Sequence, residues 1–397
     1  MKILLISNSL THYYNQVLSK LNEDPEIELT VVIPGNGSQS VGSGVYQESS
    51  GINFKVVEVH ERLLFGKIPC MFGLSEVLHR EQPEIVIFVI EYSLLLALDR
   101  RLCRKLRQLK CKVLIKSIPF RIDSFDKRLK SLAGSRLLGV SLNPWQWLRK
   151  AKVYLDRTIY QSVDAHLNYI DAREMWSSYG VAAERIFITG NSPDTDKLLK
   201  VSAELGEARN MASFNPFRIV HIGRLVQWKR VDLLLEALLK IKPRFPQAEL
   251  VIIGNGPELD TLKQQAISLG VAESVDFRGA IYDSLELGRI LKSCSVYVLA
   301  GMGGLSINDA MCFGLPVICS VCDGTEAMLV QEGVNGCYFK EGDAVDLADK
   351  ISVFLANPQR ALEMGCASVD IIRTRVNVNT VLDSYKNAFR FVLDNPV

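Results

Sequence analysis

Short apolar runs recur along the chain at residues 2–6, 28–33, 53–59, 85–90, 112–116, 164–169 and 186–189. After a more polar interval near 201–214 they return at 218–222, 249–253, 274–277, 295–299 and 315–320. Between them lie stretches with apolar residues three and four apart, such as Tyr14 to Leu21, Leu94 to Leu109 and Val231 to Ile241, where Val231, Leu234, Leu235, Leu238 and Leu239 share a helical face. Runs rich in Val, Ile and Leu that alternate with helices indicate parallel sheets covered on both faces. The pattern predicts an α/β protein of two doubly wound, Rossmann-like domains facing across a cleft. In such sheets ligands bind beyond the carboxyl ends of the strands. The expected division is 1–200, 201–375, and a final helix within 376–397, about Thr380 to Leu393, that packs back toward the first domain.

Composition narrows the class. A chain of 397 residues, 48% hydrophobic and 23% charged, has enough sequence for two cores of ordinary size. The net charge of +2 is uninformative, but its distribution is not: Arg101 to Lys150 holds fourteen Lys and Arg against two acids, Asp123 and Asp126. No apolar run reaches the roughly 18–20 residues of a membrane span, the longest (85–98) being broken by Glu91. The opening MKILLISNSL reads as a strand rather than a leader, so a cytoplasmic location is expected. Nine scattered cysteines fit reduced core thiols, and Cys319 and Cys322 follow a strand rather than open a helix as a redox pair would. The histidines at 12, 60, 79, 166 and 221 lack metal-ligand spacing, so no metal is expected.

Two stretches carry chemistry. In AGMGGLSINDAMCFGLPVI, from Ala300 to Ile318, Ser306 is a good N-cap, Gly314 suits the end of a short helix, and Pro316 stops its continuation. The free N–H groups at that helix start could hold an anion such as a diphosphate, with Asn308 and Asp309 just behind. A plain glycine-rich strand-to-helix turn fits the same residues. In HIGRLVQWKR, Gly223 is followed by Arg224 and Lys229 just past a strand end, where two cations could clamp the same anion or simply be solvated.

These stretches, with VIIGNGPELDTL (251–262), VDFRGAI (275–281), GTEAMLVQEGVNGCYF (324–339) and NSPDTDKL (191–198), closely resemble the donor-binding half of the retaining, GT-B-fold glycosyltransferases of glycosyltransferase family four, the glycosyl transferases group 1. The resemblance is specific over about 185–365 and only topological before it. It implies that Arg224 and Lys229 neutralise a nucleotide diphosphate and that Asp309 matches the second Glu of the family's Glu-seven-residues-Glu motif, which binds ribose hydroxyls. Gly223, Asn255, Gly256, Gly303, Gly304, Leu305 and Ser306 would complete the donor site, with main-chain groups of Arg278, Gly279, Ala280 and Ile281 beside the base. The family's first Glu, which contacts the donor sugar, falls on Gly301.

The first half lacks the family's Gly-Gly acceptor loop. SNSLTHYYNQ offers Asn8, His12 and Tyr13 instead, and FVIEYS places Glu91 where relatives carry a His. Glu91 and His12 are therefore candidate catalytic residues; a strand-end ion pair and a helix-start cap are the plainer readings. In NPWQWLRKAKVYLDRTIY, Trp147, Leu148, Ala151, Leu155 and Ile159 share a face flanked by Trp145, Arg149, Lys150 and Lys152. Region 101–152, with Lys127, Arg128 and Lys130, thus suits the inner, anionic face of a cell membrane, unless the tryptophan face packs into its own domain. The expected activity is metal-independent, retaining transfer of a sugar from a nucleotide diphosphate sugar, a co-substrate with no separate cofactor, to a hydroxyl of a glycan or lipid-linked acceptor. Alternatives are a nucleotide-sugar epimerase or hydrolase of the same fold, or a binding protein that has lost turnover. No nucleic-acid module is visible. A dinucleotide oxidoreductase is disfavoured because no Gly-x-Gly-x-x-Gly follows the first strand.

Overall fold

The computed structural model describes residues 1–35, 51–64, 66, 68–118, 122–132, 144–206, 209–212, 214–322 and 324–395. Residues 133–139, the second half of the basic stretch DKRLKSLAGSRLLG, and the expected helix-start Asn143 lie outside the described residues, as do Arg121 and Arg136. The chain forms two compact units, Met1–Gly190 with Asn379–Val397, and Asn191–Val378.

In the first unit the elements run β1 (Lys2–Ile6), α1 (His12–Asn22), β2 (Glu28–Pro34), β3 (Lys55–Leu64), β4 (Ile68–Phe72), α2 (Leu74–Glu81), β5 (Ile85–Val89), α3 (Leu95–Leu98), α4 (Arg100–Leu109), β6 (Lys112–Ser117), α5 (Phe125–Ser131), α6 (Pro144–Ser162), β7 (Ala165–Asn168), α7 (Arg173–Ser178) and β8 (Ile186–Ile188). The strand order is β4-β3-β2-β1-β5-β6-β7-β8. All pairs are parallel except β3 with β4. The central strands are buried on both faces, which is why they read as unbroken apolar runs rather than alternating ones. One helical layer packs around Leu78, Phe88 and Leu102, and another around Ile115, Tyr160 and Trp176.

The second unit comprises α8 (Thr195–Glu204), β9 (Arg218–Ile222), α9 (Val231–Ile241), β10 (Glu249–Ile253), α10 (Leu259–Ser268), β11 (Val275–Gly279), α11 (Ser284–Lys292), β12 (Val296–Leu299), α12 (Leu305–Cys312), β13 (Val317–Cys319), α13 (Thr325–Leu329), β14 (Gly336–Tyr338), α14 (Ala344–Ala356) and α15 (Pro358–Thr374). Its six strands are all parallel in the order β11-β10-β9-β12-β13-β14. The last helix, α16 (Val378–Asp394), counts with the first unit: its Phe391 ring stacks 5.3 Å from Phe187, and its Lys386 pairs with Asp24 at 2.6 Å.

Three boundaries differ from the sequence reading. The first unit ends at Gly190 rather than 200, because α8 packs on α11 and α12 of the second unit and Thr195 Oγ1 accepts the Val378 N–H at 2.9 Å. The helical stretch 94–109 breaks at Asp99, whose side chain caps α4 by accepting from the N–H groups of Arg101 and Leu102. Strands β4 (IPCMF) and β14 (GCY) lie outside the predicted runs, because Pro, Gly and Cys interrupt their apolar pattern. All nine cysteines are free thiols.

Candidate functional site

Each sheet reverses its winding direction once. In the second unit the reversal falls between β9 and β12, and in the first between β1 and β5. Such a switch point opens a crevice at the strand carboxyl ends, because the connections on either side leave in opposite directions. Both predicted stretches of the second unit flank its crevice: Gly223 to Lys229 follows β9, and Ala300 to Ser306 follows β12. In the first unit, His12 opens α1 after β1 and Glu91 lies in a turn directly after β5. Glu91 is solvent-exposed, and the His12 ring lies 3.0 Å from the Gln16 amide nitrogen.

The strand ends of the second unit are joined main chain to main chain. Gly223 donates to Ile253, Leu225 to Asn255, Gly254 to Gly279, and Glu258 to Leu225, at 2.7–3.1 Å. A Cβ on Gly254 would stand 1.8 Å from the Gly223 oxygen, and one on Gly256 2.2 Å from the Leu225 oxygen. Gly254 and Gly256 therefore line a shelf on which side chains are excluded by space, while a Cβ on Gly223 beside them would meet only the His221 ring at 3.3 Å and the Lys229 side chain at 3.6 Å. Asn255 is exposed at the edge of the shelf.

Arg224 and Lys229 both follow β9. The Arg224 guanidinium carbon is 5.8 Å from the Trp228 ring, and its Nε is buried without a hydrogen-bond acceptor. Lys229 reaches across to the loop after β12: a Cβ on Gly303, whose φ is +139°, would lie 2.0 Å from Nζ. The main chain of that loop is equally close, since Met302 N–H donates to the Trp228 oxygen at 2.9 Å and a Cβ on Gly301 would fall 2.2 Å from it. Gly301 is thus required by the main chain of this chain's own Trp228 and Lys229, and Gly303 by its φ of +139°. No carboxylate side chain fits at 301.

The helix behind the loop departs from the sequence reading in its cap. Gly304, not Ser306, is the N-cap of α12; Ser306 is the second helical residue, and its Oγ lies 2.7 Å from the Tyr297 hydroxyl on β12. Leu305 is therefore the first residue, and Asp309 falls in the second turn, 2% exposed. Asn308 beside it is fully buried, and neither of its amide atoms has a protein partner. Arg278 is exposed and held at 2.6 Å by Asp276 on its own strand, so its side chain is turned to β11. Gly279 joins the strand-end ladder, Ala280 follows it, and Ile281 packs its side chain on the core.

Two residues that the motifs did not single out complete the crevice. Glu326, 1% exposed, accepts from the N–H groups of Cys322 and Gly324 and so fixes the turn before α13, whose Thr325 hydroxyl lies 2.6 Å from a Cβ placed on Gly304. His221, fully buried on β9, bridges the switch point by donating from Nδ1 to the Val298 oxygen at 3.0 Å. Burial pulls this ring down to about 4, so it is neutral. The sequence signal was a single polar residue inside an apolar strand. Lys116 on β6 carries the same signal: it is buried, with Nζ 3.3 Å from the centroid of the Tyr14 ring, and burial pushes its ammonium well below the usual lysine range.

The basic region resolves into two parts. Arg128 is not a free surface cation as expected: it pairs with Asp156 at 2.8 Å and donates to the Tyr179 hydroxyl at 3.1 Å. Lys127 pairs with Asp123. On α6, Val153, Asp156, Ile159 and Tyr160 face inward, while Trp145, Trp147, Leu148, Tyr154 and Leu155 are exposed, Trp145 by 71%. The predicted Trp147, Leu148, Ala151, Leu155 face is the solvent face, but Ile159 does not belong to it. Among the described residues no helix is long and apolar enough to cross a membrane.

Comparison with known proteins gives this geometry a context. Residues 207–368 match the profile of the glycosyl transferases group 1. A GDP-mannose-dependent alpha-(1-6)-phosphatidylinositol monomannoside mannosyltransferase of Mycobacterium tuberculosis is 32% identical over 204 residues, 48% of this chain and 52% of that protein. An uncharacterized glycosyltransferase of Haemophilus influenzae is 28% identical over 149 residues, 37% of this chain and 41% of that protein. The matched stretch spans about half the length of these curated relatives. Among solved structures, Anabaena HepE in complex with UDP superposes with a TM-score of 0.67 at 17% identity, covering 98% of this chain and 100% of that one. A glycosyltransferase from Rickettsia africae gives 0.68 at 14% identity, covering 99% of each. The fold is that of these proteins, the two-unit Rossmann-like GT-B fold.

Proposed function

From the premise that this chain belongs, through residues 207–368, to the glycosyl transferases group 1, we propose that it transfers a sugar from a nucleotide diphosphate sugar to a hydroxyl of a glycan or lipid-linked acceptor. The observation that carries the reading is that Arg224 and Lys229 both follow β9 at the β9/β12 switch point, with the Lys229 ammonium reaching the glycine loop after β12. The two cations and the N-terminal end of α12 would meet the charge of the leaving diphosphate. On this reading the departing phosphate accepts the acceptor's proton, transfer retains the anomeric configuration, and no metal is required. Asp309 would hold the ribose, and Glu91 and His12 would serve the acceptor from the first unit.

The acceptor reading draws on the exposed face of α6. Trp145, Trp147 and Leu148, with Arg149 and Lys152 beside them, suit the surface of an anionic bilayer, which would make the protein peripheral on a membrane. One observation favours a second reading, a nucleotide-sugar-binding protein without turnover: the family's sugar-contacting carboxylate has no room at Gly301.

The test is a thermal-shift series with nucleoside diphosphates and their sugars, since a ligand that binds only the folded state raises its melting temperature by mass action. A shift in the wild type that is lost in Arg224→Ala supports the donor site. Absence of any shift at millimolar ligand refutes it. Product formation with the shifting donor separates the transferase from the binding protein.

A further inference from the structure

Most arginines near the strand ends of the second unit are fixed by an acid: Arg230 pairs with Asp232 at 3.0 Å and Arg278 with Asp276 at 2.6 Å. Arg224 is not. It is half-buried, its Nε is buried without an acceptor, and among the described residues no carboxylate lies within ion-pair distance of its guanidinium. A long side chain with no partner samples many rotamers, and a ligand that orders it loses affinity in doing so.

What faces this guanidinium is the indole of Trp228. Its ring centre is 5.8 Å from the guanidinium carbon, inside the roughly 6 Å over which a ring face attracts a cation. The backbone carrying both side chains is tied down at either end. Leu225 donates to Asn255 at 2.9 Å and accepts from Glu258 at 3.1 Å, Lys229 donates to Val226 at 2.9 Å, and the Trp228 oxygen accepts from Met302 at 2.9 Å. The indole itself is 53% exposed and belongs to neither hydrophobic cluster of this unit, so these main-chain ties do not depend on it. An acid in its place would orient the guanidinium but cancel its charge. A ring face carries no net charge, so it restricts the guanidinium and leaves the charge to a ligand.

We propose that Trp228 is a positioning residue of the donor site, whose ring aligns the Arg224 guanidinium for the nucleotide diphosphate before the ligand arrives and acts through that arginine. The proposal rests on the donor-site reading and adds to it the side chain that sets the geometry of one of its cations. A cation–ring contact of this kind corresponds to roughly two- to thirty-fold in affinity.

The experiment is a double-mutant cycle on the full chain, with UDP and GDP as probes. Wild type, Trp228→Leu, Arg224→Ala and the double variant are titrated calorimetrically, or by thermal shift where binding is weak, with Trp228→Phe as the conservative rescue. Trp228→Leu is expected to weaken the probe that binds wild type by about five-fold at an unchanged melting temperature, and Trp228→Phe to stay within about two-fold of wild type. In the Arg224→Ala background, Trp228→Leu is expected to change affinity by less than about two-fold, because the side chain through which the ring acts is gone. Wild-type affinity in Trp228→Leu, a five-fold loss that persists in the Arg224→Ala background, no recovery in Trp228→Phe, or a melting temperature lowered along with affinity overturns the proposal. The two readings fail separately. No binding of either probe by wild type, or wild-type affinity in Arg224→Ala, refutes the donor site and the proposal with it. A loss in Arg224→Ala with none in Trp228→Leu refutes the positioning role alone.

Discussion

Replacing Gly301 with Ala adds one methyl group at the point where the two loops of the second unit meet. The new Cβ would lie 2.2 Å from the Trp228 oxygen and 2.7–2.8 Å from the carbonyl of Lys229, all main-chain atoms that no rotamer change can move. Restoring van der Waals distance requires the 228–229 turn to retreat by roughly 1 Å. Overpacking of this kind costs about 1–3 kcal/mol, and the Met302-to-Trp228 hydrogen bond lost with it about 1 kcal/mol more. For a unit of this size the sum corresponds to a fall in melting temperature of roughly 5–12 °C. The displaced turn carries Lys229, so nucleoside diphosphate affinity should fall about ten-fold as well, and Gly301→Glu should be worse in both respects. Gly333→Ala is the control: its φ of +77° disfavours a side chain but nothing lies within 4 Å, so it should cost only about 1–2 kcal/mol and leave nucleotide binding unchanged. Differential scanning fluorimetry and calorimetric titration read both quantities. If Gly301→Ala melts with Gly333→Ala and binds nucleotide normally, the close-approach argument is wrong.

Arg224→Ala or Lys229→Ala should lower turnover about 10²-fold or more, about 3 kcal/mol, with little change in melting temperature; near-normal turnover of either removes the diphosphate assignment. His166 and His221 are held by burial at about 4 against an ordinary 6.5, so the unfolded chain binds their protons first. Stability should be full above about pH 6.5 and fall as the pH drops toward 4, by up to about 3 kcal/mol per ring. Urea titrations at pH 7.5 and 5 check this, and His221→Asn, which keeps a donor for Val298, should flatten part of the slope; equal midpoints at the two pH values refute it. Trp147→Ser with Leu148→Ser should reduce flotation with anionic vesicles, and the residual binding should weaken with salt, which screens over about 8 Å at physiological strength. Unchanged flotation counts against a lipid-facing α6.

The strands of both sheets were readable because each central one is buried on two faces, a condition that forces an unbroken Val, Ile and Leu run. Strands β4 (IPCMF) and β14 (GCY) escaped because they carry Pro, Gly and Cys in place of a Val, Ile and Leu run, whereas β8 (IFI), as short and also at an edge, was readable. The candidate site was readable in its residue types but not in its causes. Three glycines in five residues announced an open loop, yet the reason for Gly301 lies seventy-odd positions earlier, in the main chain of Trp228 and Lys229. Ser306 has the composition of a cap, but Tyr297 claims its hydroxyl from a neighbouring strand. On α6 the period placed Trp147, Leu148 and Leu155 together correctly. Whether that face met the core or solvent depended on where Val153 and Tyr160 were drawn, and the helix's own pattern could not decide it.

The hydrogen bond between Thr195 and Val378 joins the two ends of the second unit to each other. That unit is one uninterrupted segment, Asn191–Val378, whereas the first is assembled from both ends of the chain. Topologically the second unit is an insertion, and its ends sit together as those of an inserted domain must. The chain is therefore asymmetric toward truncation. A polypeptide of residues 191–378 retains every strand of its sheet and the Thr195–Val378 clasp. Removing residues after 378 instead strips the first unit of Tyr385, Phe389 and Phe391, large side chains packed against a sheet whose strands were all made hundreds of residues earlier. During synthesis the first unit must accordingly wait, incomplete, until the last nineteen residues arrive.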